Sequence, residues 1–174
     1  LGKVGSRAAH YGKAFGMDVV AWSQNLTPEK AAEGGAKYVS KDELLATSDF
    51  VSIHLALSER TRGLIGAADL AKMKKTAILV NTSRGPIVDE AALIAALKNR
   101  TIMHAGLDVY DKEPMSADHP FTKLDNITLI PHLGYVVEES YRYFYEGTIK
   151  DIEAWLDGKP INVLNPEALN KTPA

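Results

Sequence analysis

Four short segments carry side chains able to move a proton or hold an anion. Val80-Asn81-Thr82-Ser83-Arg84-Gly85 puts an arginine just past an apolar run. Gly106-Leu107-Asp108-Val109-Tyr110-Asp111-Lys112-Glu113-Pro114 puts two carboxylates after another, and Ile130-Pro131-His132-Leu133-Gly134 puts a histidine after a third. Arg84 offers a fork of N–H donors matched to a carboxylate. Alone it fits a surface arginine in a turn better than a ligand-binding one. The arrival of Arg84, Glu113 and His132 at three strand ends is more informative. It supplies a cation to orient an oxyanion, an imidazole as acid or base, and a carboxylate to hold the ring.

The fourth segment is Leu1-Gly2-Lys3-Val4-Gly5-Ser6. Gly2 and Gly5 are spaced like the second and third glycines of G-x-G-x-x-G. In that motif the second lets the backbone approach a pyrophosphate and the third lets helix and strand pack closely. The spacing alone fits equally well a helix that happens to contain glycines. The strand expected at Met17 to Trp22 strengthens the nucleotide reading. An acid usually ends that strand and holds the ribose hydroxyls. Here it ends Trp22-Ser23-Gln24-Asn25, with neither acid nor arginine.

Alternating elements must position these groups. β-branched runs predict strands at 19–22, 37–39, 50–54, 76–80, 103–109 and 127–130. Helical spacing predicts helices at 4–15, 41–46, 67–72, 89–98 and 138–156. Several strands are apolar throughout, which predicts cover on both faces. In the first helix Val4, Ala8, Tyr11, Gly12 and Phe15 predict one packed face, and Gly16 a C-terminal stop. The expected class is α/β with a parallel, doubly wound sheet, whose rim at the strand ends binds ligands. The aromatic helix at 138–156 reads as a packing face, since no basic groove accompanies Tyr141, Tyr143, Phe144 and Tyr145.

The 174 residues carry 20 basic and 22 acidic side chains, a net charge of −2, with 45% hydrophobic and 24% charged residues. That excludes a disordered chain, a coiled coil and a collagen-like repeat. The near balance of charge argues against nucleic acid and anionic membrane as partners. No apolar run approaches the roughly 20 residues of a membrane span. The absence of cysteine removes thiolate chemistry and fits a reducing, cytoplasmic setting. No histidine pair has metal-ligand spacing with a carboxylate, so no metal is expected. His10, His54, His104 and His119 read as rim or packing residues.

The four segments, in this order and spacing, resemble the nicotinamide-dependent D-2-hydroxyacid dehydrogenase family from Leu1 to about Pro166. The resemblance implies a Rossmann-like domain over 1–135, incomplete at its N-terminus. It implies a long helix and tail over 136–174 returning toward a separate substrate domain. The first strand and most of that domain are expected upstream of Leu1, and the missing strand would lie between those at 19–22 and 50–54. The family's catalytic residues fall on Arg84, Glu113 and His132. Arg84 would bind the carboxylate and carbonyl of a 2-oxo acid. His132 would give its proton to the carbonyl oxygen, and Glu113 would fix the ring and favour its charged form.

Cofactor contacts fall on Gly2, Lys3, Val4, Gly5, Ser23, Thr82, Ser83, Arg84, Asp108, His132 and Gly134. NAD is the expected cofactor, with NADP possible because Ser23 carries no repelling charge. The sequence from Tyr135 to Glu138 departs from the small residues and threonine of many relatives. A small 2-oxo or 2-hydroxy acid is the implied substrate and a homodimer the implied assembly. A non-enzymatic NAD(H)-sensing protein of the corepressor type is the alternative on the same fold. A methyltransferase gives no reason for the arginine, glutamate and histidine.

Overall fold

Capping side chains mark where the helices begin. In the computed structural model, which describes residues 1–170, Thr27 Oγ1 accepts the Lys30 N–H at 3.3 Å, Ser40 Oγ that of Glu43 at 3.1 Å, and Asp89 Oδ1 that of Ala92 at 2.9 Å. Each satisfies a donor that the first turn cannot pair internally. These caps open α2 (Pro28–Glu33), α3 (Lys41–Thr47) and α5 (Glu90–Lys98). Ahead of them, α1 (Lys3–Ala14) starts at Gly2 with no side-chain cap. It ends where Gly16, at φ +77, lets Gly16 N–H reach Lys13 O and Met17 N–H reach Gly12 O. A side chain at Gly16 would be strained in that left-handed conformation. The short α4 (Ala67–Leu70) lies between α3 and α5 in sequence.

The strands are β1 (Val20–Ala21), β2 (Lys37–Tyr38), β3 (Phe50–Ile53), β4 (Ile78–Asn81), β5 (His104–Leu107) and β6 (Ile127–Leu129). All pairings are parallel. They form two sheets, β1-β2 and β3-β4-β5-β6. Between β1 and β3 runs a groove of about 720 Å³, lined by Val20, Ala21, Val51 and Ile53 among others. This is where the sequence leads one to expect a further strand.

The chain divides into two compact units, Leu1–Leu133 and Gly134–Ala174. In the first, Val51, Ile53, Leu79, Ala105 and Leu107 project from one sheet face. They join Leu45 of α3, Leu70 of α4 and Leu93 and Leu97 of α5 in one core. A smaller core of Ala21, Leu26, Ala31 and Ala36 holds the β1-β2 end.

Three expectations for this first unit need correction. The strands are not covered equally on both faces: β3 alternates exposed and buried, with Phe50 56% exposed, because α3, α4 and α5 all feed the same face. In α1 the residues turned inward are Gly5 and Ala9, whereas Val4, Tyr11 and Phe15 are exposed. The small side of that helix packs, since only small residues let it lie close. Finally, α2 is a helix the strand-and-helix reading lacks. It buries Ala31 alone, too little for a hydrophobic period to register.

The second unit holds a helix, α6 (Glu138–Leu156), with no buried residue, followed by a 3-10 turn at Pro166–Asn170. The aromatic packing face expected there is therefore exposed, with Tyr143 at 77% and Trp155 at 69%. The Tyr141 and Tyr145 rings stack at 6.4 Å. Of the expected segment 136–174, residues 171–174 lie outside the described residues. No helix among the described residues is long and apolar enough to cross a membrane.

Candidate active site

The turn carrying Arg84 is organised by Asn81, the last residue of β4 and 1% exposed. Its Oδ1 accepts the Ser83 N–H at 3.1 Å and its Nδ2 donates to Arg84 O at 2.9 Å. This is a side-chain mimic of a backbone turn. Ser83 Oγ donates to Leu55 O, which ties the turn to the end of β3. The backbone then enters a 3-10 turn at Gly85, pressed against the backbone of Tyr110. Arg84 is left at the rim with Thr82, both exposed, its Nη1 donating to Ser83 O at 2.6 Å.

β5 leads into Asp108, Tyr110 and the loop bearing Glu113. Glu113 Oε1 accepts the Tyr110 N–H at 2.9 Å. Glu113 Oε2 lies 2.6 Å from His132 Nδ1. The side chains of His132 and Glu113 are 37% and 35% exposed, open enough for a small molecule to reach. Burial pushes the Glu113 carboxyl up, but the hydrogen bonds from His132 and Tyr110 and the charges of His132 and Arg84 outweigh it. The net position is below the ordinary carboxylate value. Arg84, Glu113 and His132 follow the carboxyl ends of the adjacent parallel strands β4, β5 and β6.

His132 follows β6 with φ +55, a left-handed conformation more tolerable for histidine than for most residues. Its neighbours fix it: Tyr110 OH donates to Ile130 O at 2.9 Å, and Leu133 N–H donates to Asp108 Oδ1 at 2.7 Å. Asp108, 5% exposed, is thus a buried acceptor for the histidine's own turn. Gly134 is the first residue of the second unit.

At the other end of the rim, α1 presents its N-terminus. No side chain caps it and no acid lies in its first turn, so the N–H groups of Lys3 and Val4 keep their positive dipole uncompensated. A Cβ at Gly2 would meet nothing within 4 Å, leaving the backbone approachable. One at Gly5 would lie 3.7 Å from His54 Cβ, so this glycine packs the helix against the end of β3. These features fit a bound pyrophosphate. Ser23, half-buried beyond β1, accepts the Leu26 N–H on its carbonyl and lines the groove.

The other histidines have local partners. His54 pairs with Ser52 Oγ at 2.9 Å, and burial pushes its pKa down. His104 pairs with Thr128 at 3.0 Å. His119 meets Glu90 at 3.1 Å and accepts the Phe121 N–H. His10 lies edge-on to Tyr11. Among the described residues no group of three or more His, Asp or Glu side chains could hold a metal ion. Sequence reasoning misses Asn81 and Tyr110. An asparagine before Thr-Ser-Arg is a turn signal for the former, while nothing local to Tyr110 points to its partners.

Parallel strands, a helix N-terminus open to an anion and an imidazole–carboxylate pair at the strand ends are the features of a nucleotide-binding α/β unit. Residues 1–134 match the family model of the D-isomer specific 2-hydroxyacid dehydrogenase NAD-binding domain, and the chain belongs to that family. A glyoxylate reductase of Aeropyrum pernix is 44% identical over 170 residues, covering 97% of this chain and 51% of that protein. The crystal structure of a D-lactate dehydrogenase from Aquifex aeolicus, complexed with NAD and lactic acid, superimposes with a TM-score of 0.79 at 32% identity. It covers 91% of this chain and 52% of that one. An oxidoreductase from Ralstonia solanacearum gives a TM-score of 0.92 at 39% identity, over 98% of this chain and 50% of that one. The chain spans about half the length of the curated relatives it matches.

Proposed function

We propose that this chain is the cofactor-binding and acid–base portion of an oxidoreductase. It would interconvert a small 2-oxo acid and the corresponding D-2-hydroxy acid with NAD(H) or NADP(H). The observation that carries the reading is the 2.6 Å contact between Glu113 and His132, beside Arg84 on the rim of a family NAD-binding domain. Glyoxylate and lactic acid appear in the names of relatives, which supports 2-oxo acids of two or three carbons as the substrate class.

In this reading Gly2, Lys3, Val4 and Gly5 hold the pyrophosphate. Ser23 faces the ribose, where its uncharged hydroxyl admits either cofactor. Thr82, Ser83, Arg84, Asp108, His132 and Gly134 line the nicotinamide side. The nicotinamide cofactor, when bound, supplies the hydride. Arg84 binds the substrate carboxylate and polarises the carbonyl through its donor fork. The carboxylate of Glu113 accepts from His132 Nδ1, so the proton available for transfer is on Nε2. That proton goes to the carbonyl oxygen as carbon is reduced, and returns to Nε2 in the reverse direction.

The helix Glu138–Leu156 and the tail beyond it belong to the return toward a substrate domain, and a symmetric homodimer in the cytoplasm is the expected setting. The test is His132→Asn, a substitution that suits the left-handed backbone. Turnover of glyoxylate with NADH and NADPH should fall by about 10²–10⁴-fold while cofactor binding survives. Unchanged turnover would sink the mechanism.

A further inference from the structure

We propose that Tyr110 is a positioning residue for the proton-transfer pair, an inference that rests on the roles given above to Glu113 and His132. Tyr110 meets both members from one place. Its backbone N–H donates to Glu113 Oε1 at 2.9 Å, and its hydroxyl donates to Ile130 O at 2.9 Å, two residues before His132. The same Ile130 carbonyl accepts the backbone N–H of His132 at 3.1 Å. The hydroxyl therefore closes a ring running from the Tyr110 N–H through the Glu113 carboxylate, the imidazole and the Ile130 carbonyl back to the phenol.

The ring has something to hold. His132 sits at φ +55, and such a conformation persists only when its surroundings impose it. Tyr110 grips the turn before the histidine. Asp108, two residues earlier on the same exit from β5, grips it after the histidine through Leu133 N–H. Tyr110 is 7% exposed, which fixes the phenol in place. Burial pushes the phenol pKa up, helped by the charges of Asp108 and Glu113 and opposed by the bond to Ile130, so the hydroxyl keeps its proton to donate. A phenylalanine would fill the same space and leave the Ile130 carbonyl short of one donor. The histidine turn would then lose one of the side chains that hold it, and misplacing a reacting group by 1 Å can cost about 100-fold in rate.

The experiment compares the natural protein with Tyr110→Phe, using Glu113→Gln and His132→Asn as references. In Tyr110→Phe, kcat should fall about tenfold while KM for the 2-oxo acid and cofactor affinity stay within about twofold. The limb of the pH–rate profile that Glu113→Gln abolishes should be displaced. The low-field Nδ1 proton resonance of His132 should move upfield or broaden. A packing role alone would lower Tm and leave the profile and the resonance in place, which overturns the proposal. Wild-type rates in Tyr110→Phe beside an inactive His132→Asn overturn it too, and leave the assigned function standing. Normal turnover in all three variants removes that function, and the positioning role with it.

Discussion

Gly85 lies so close to Tyr110 that a Cβ at position 85 would come within 2.1 Å of the Tyr110 carbonyl carbon and 2.3 Å of its oxygen. The contact is backbone on backbone, so no rotamer can relieve it. It also joins the turn of Arg84 to the segment that holds Glu113. Gly85→Ala must therefore push β4 and β5 apart at their carboxyl ends. Overpacking typically costs about 1–3 kcal/mol, and a rigid obstacle puts this variant at or above the upper end. Chemical denaturation should give a midpoint shift of that size. A variant as stable as the parent would mean that the two backbones separate freely.

Arg84 is exposed and held by its own turn, with Nη1 bonded to Ser83 O. Lysine would keep the charge and lose the fork that meets a carboxylate with two parallel bonds. Arg84→Lys should raise KM for the 2-oxo acid by about 10- to 100-fold, the range for losing one charge-assisted bond. The KM for cofactor should change much less. Initial-rate kinetics with each substrate varied in turn separates these; equal effects on both would remove Arg84 from the substrate carboxylate.

Glu113 gives a pH dependence with a definite sign. Its folded carboxyl lies below the ordinary value, and the unfolded one titrates near about 4.3. The stabilisation is therefore full above that pH and is lost as pH falls through the lower folded value. Glu113→Gln should flatten the acid limb of the Tm–pH curve. The gap between parent and variant should narrow as pH drops from 6 toward 3. Parallel curves would show that the pair with His132 adds nothing to folding.

Much of this was legible from the chain because the chemistry sits at strand ends, and apolar runs betray strands. Arg84, Glu113 and His132 each follow such a run by a few residues, so a parallel sheet brings them to one edge. The supporting residues were less visible. Tyr110 acts through Ile130, 20 residues away, and Asp108 through Leu133, 25 away. Such partners exist only once β5 and β6 pair. The burial of α1 departs from its hydrophobic stripe for a related reason. Val4, Tyr11 and Phe15 form a helical stripe, yet the side that packs is the one with Gly5 and Ala9, where closeness rather than hydrophobicity decides. Asn81 was readable as a turn residue, though its burial was not.

The two sheets share no ladder across the groove between β1 and β3. Arg84, Glu113 and His132 follow β4, β5 and β6, and the uncapped N-terminus of α1 lies beside the end of β3. Gly5 ties the two together: lacking a Cβ, it lets α1 rest against His54 at the end of β3, so a larger residue there would displace the phosphate-facing N–H groups and the strand-end rim in one movement.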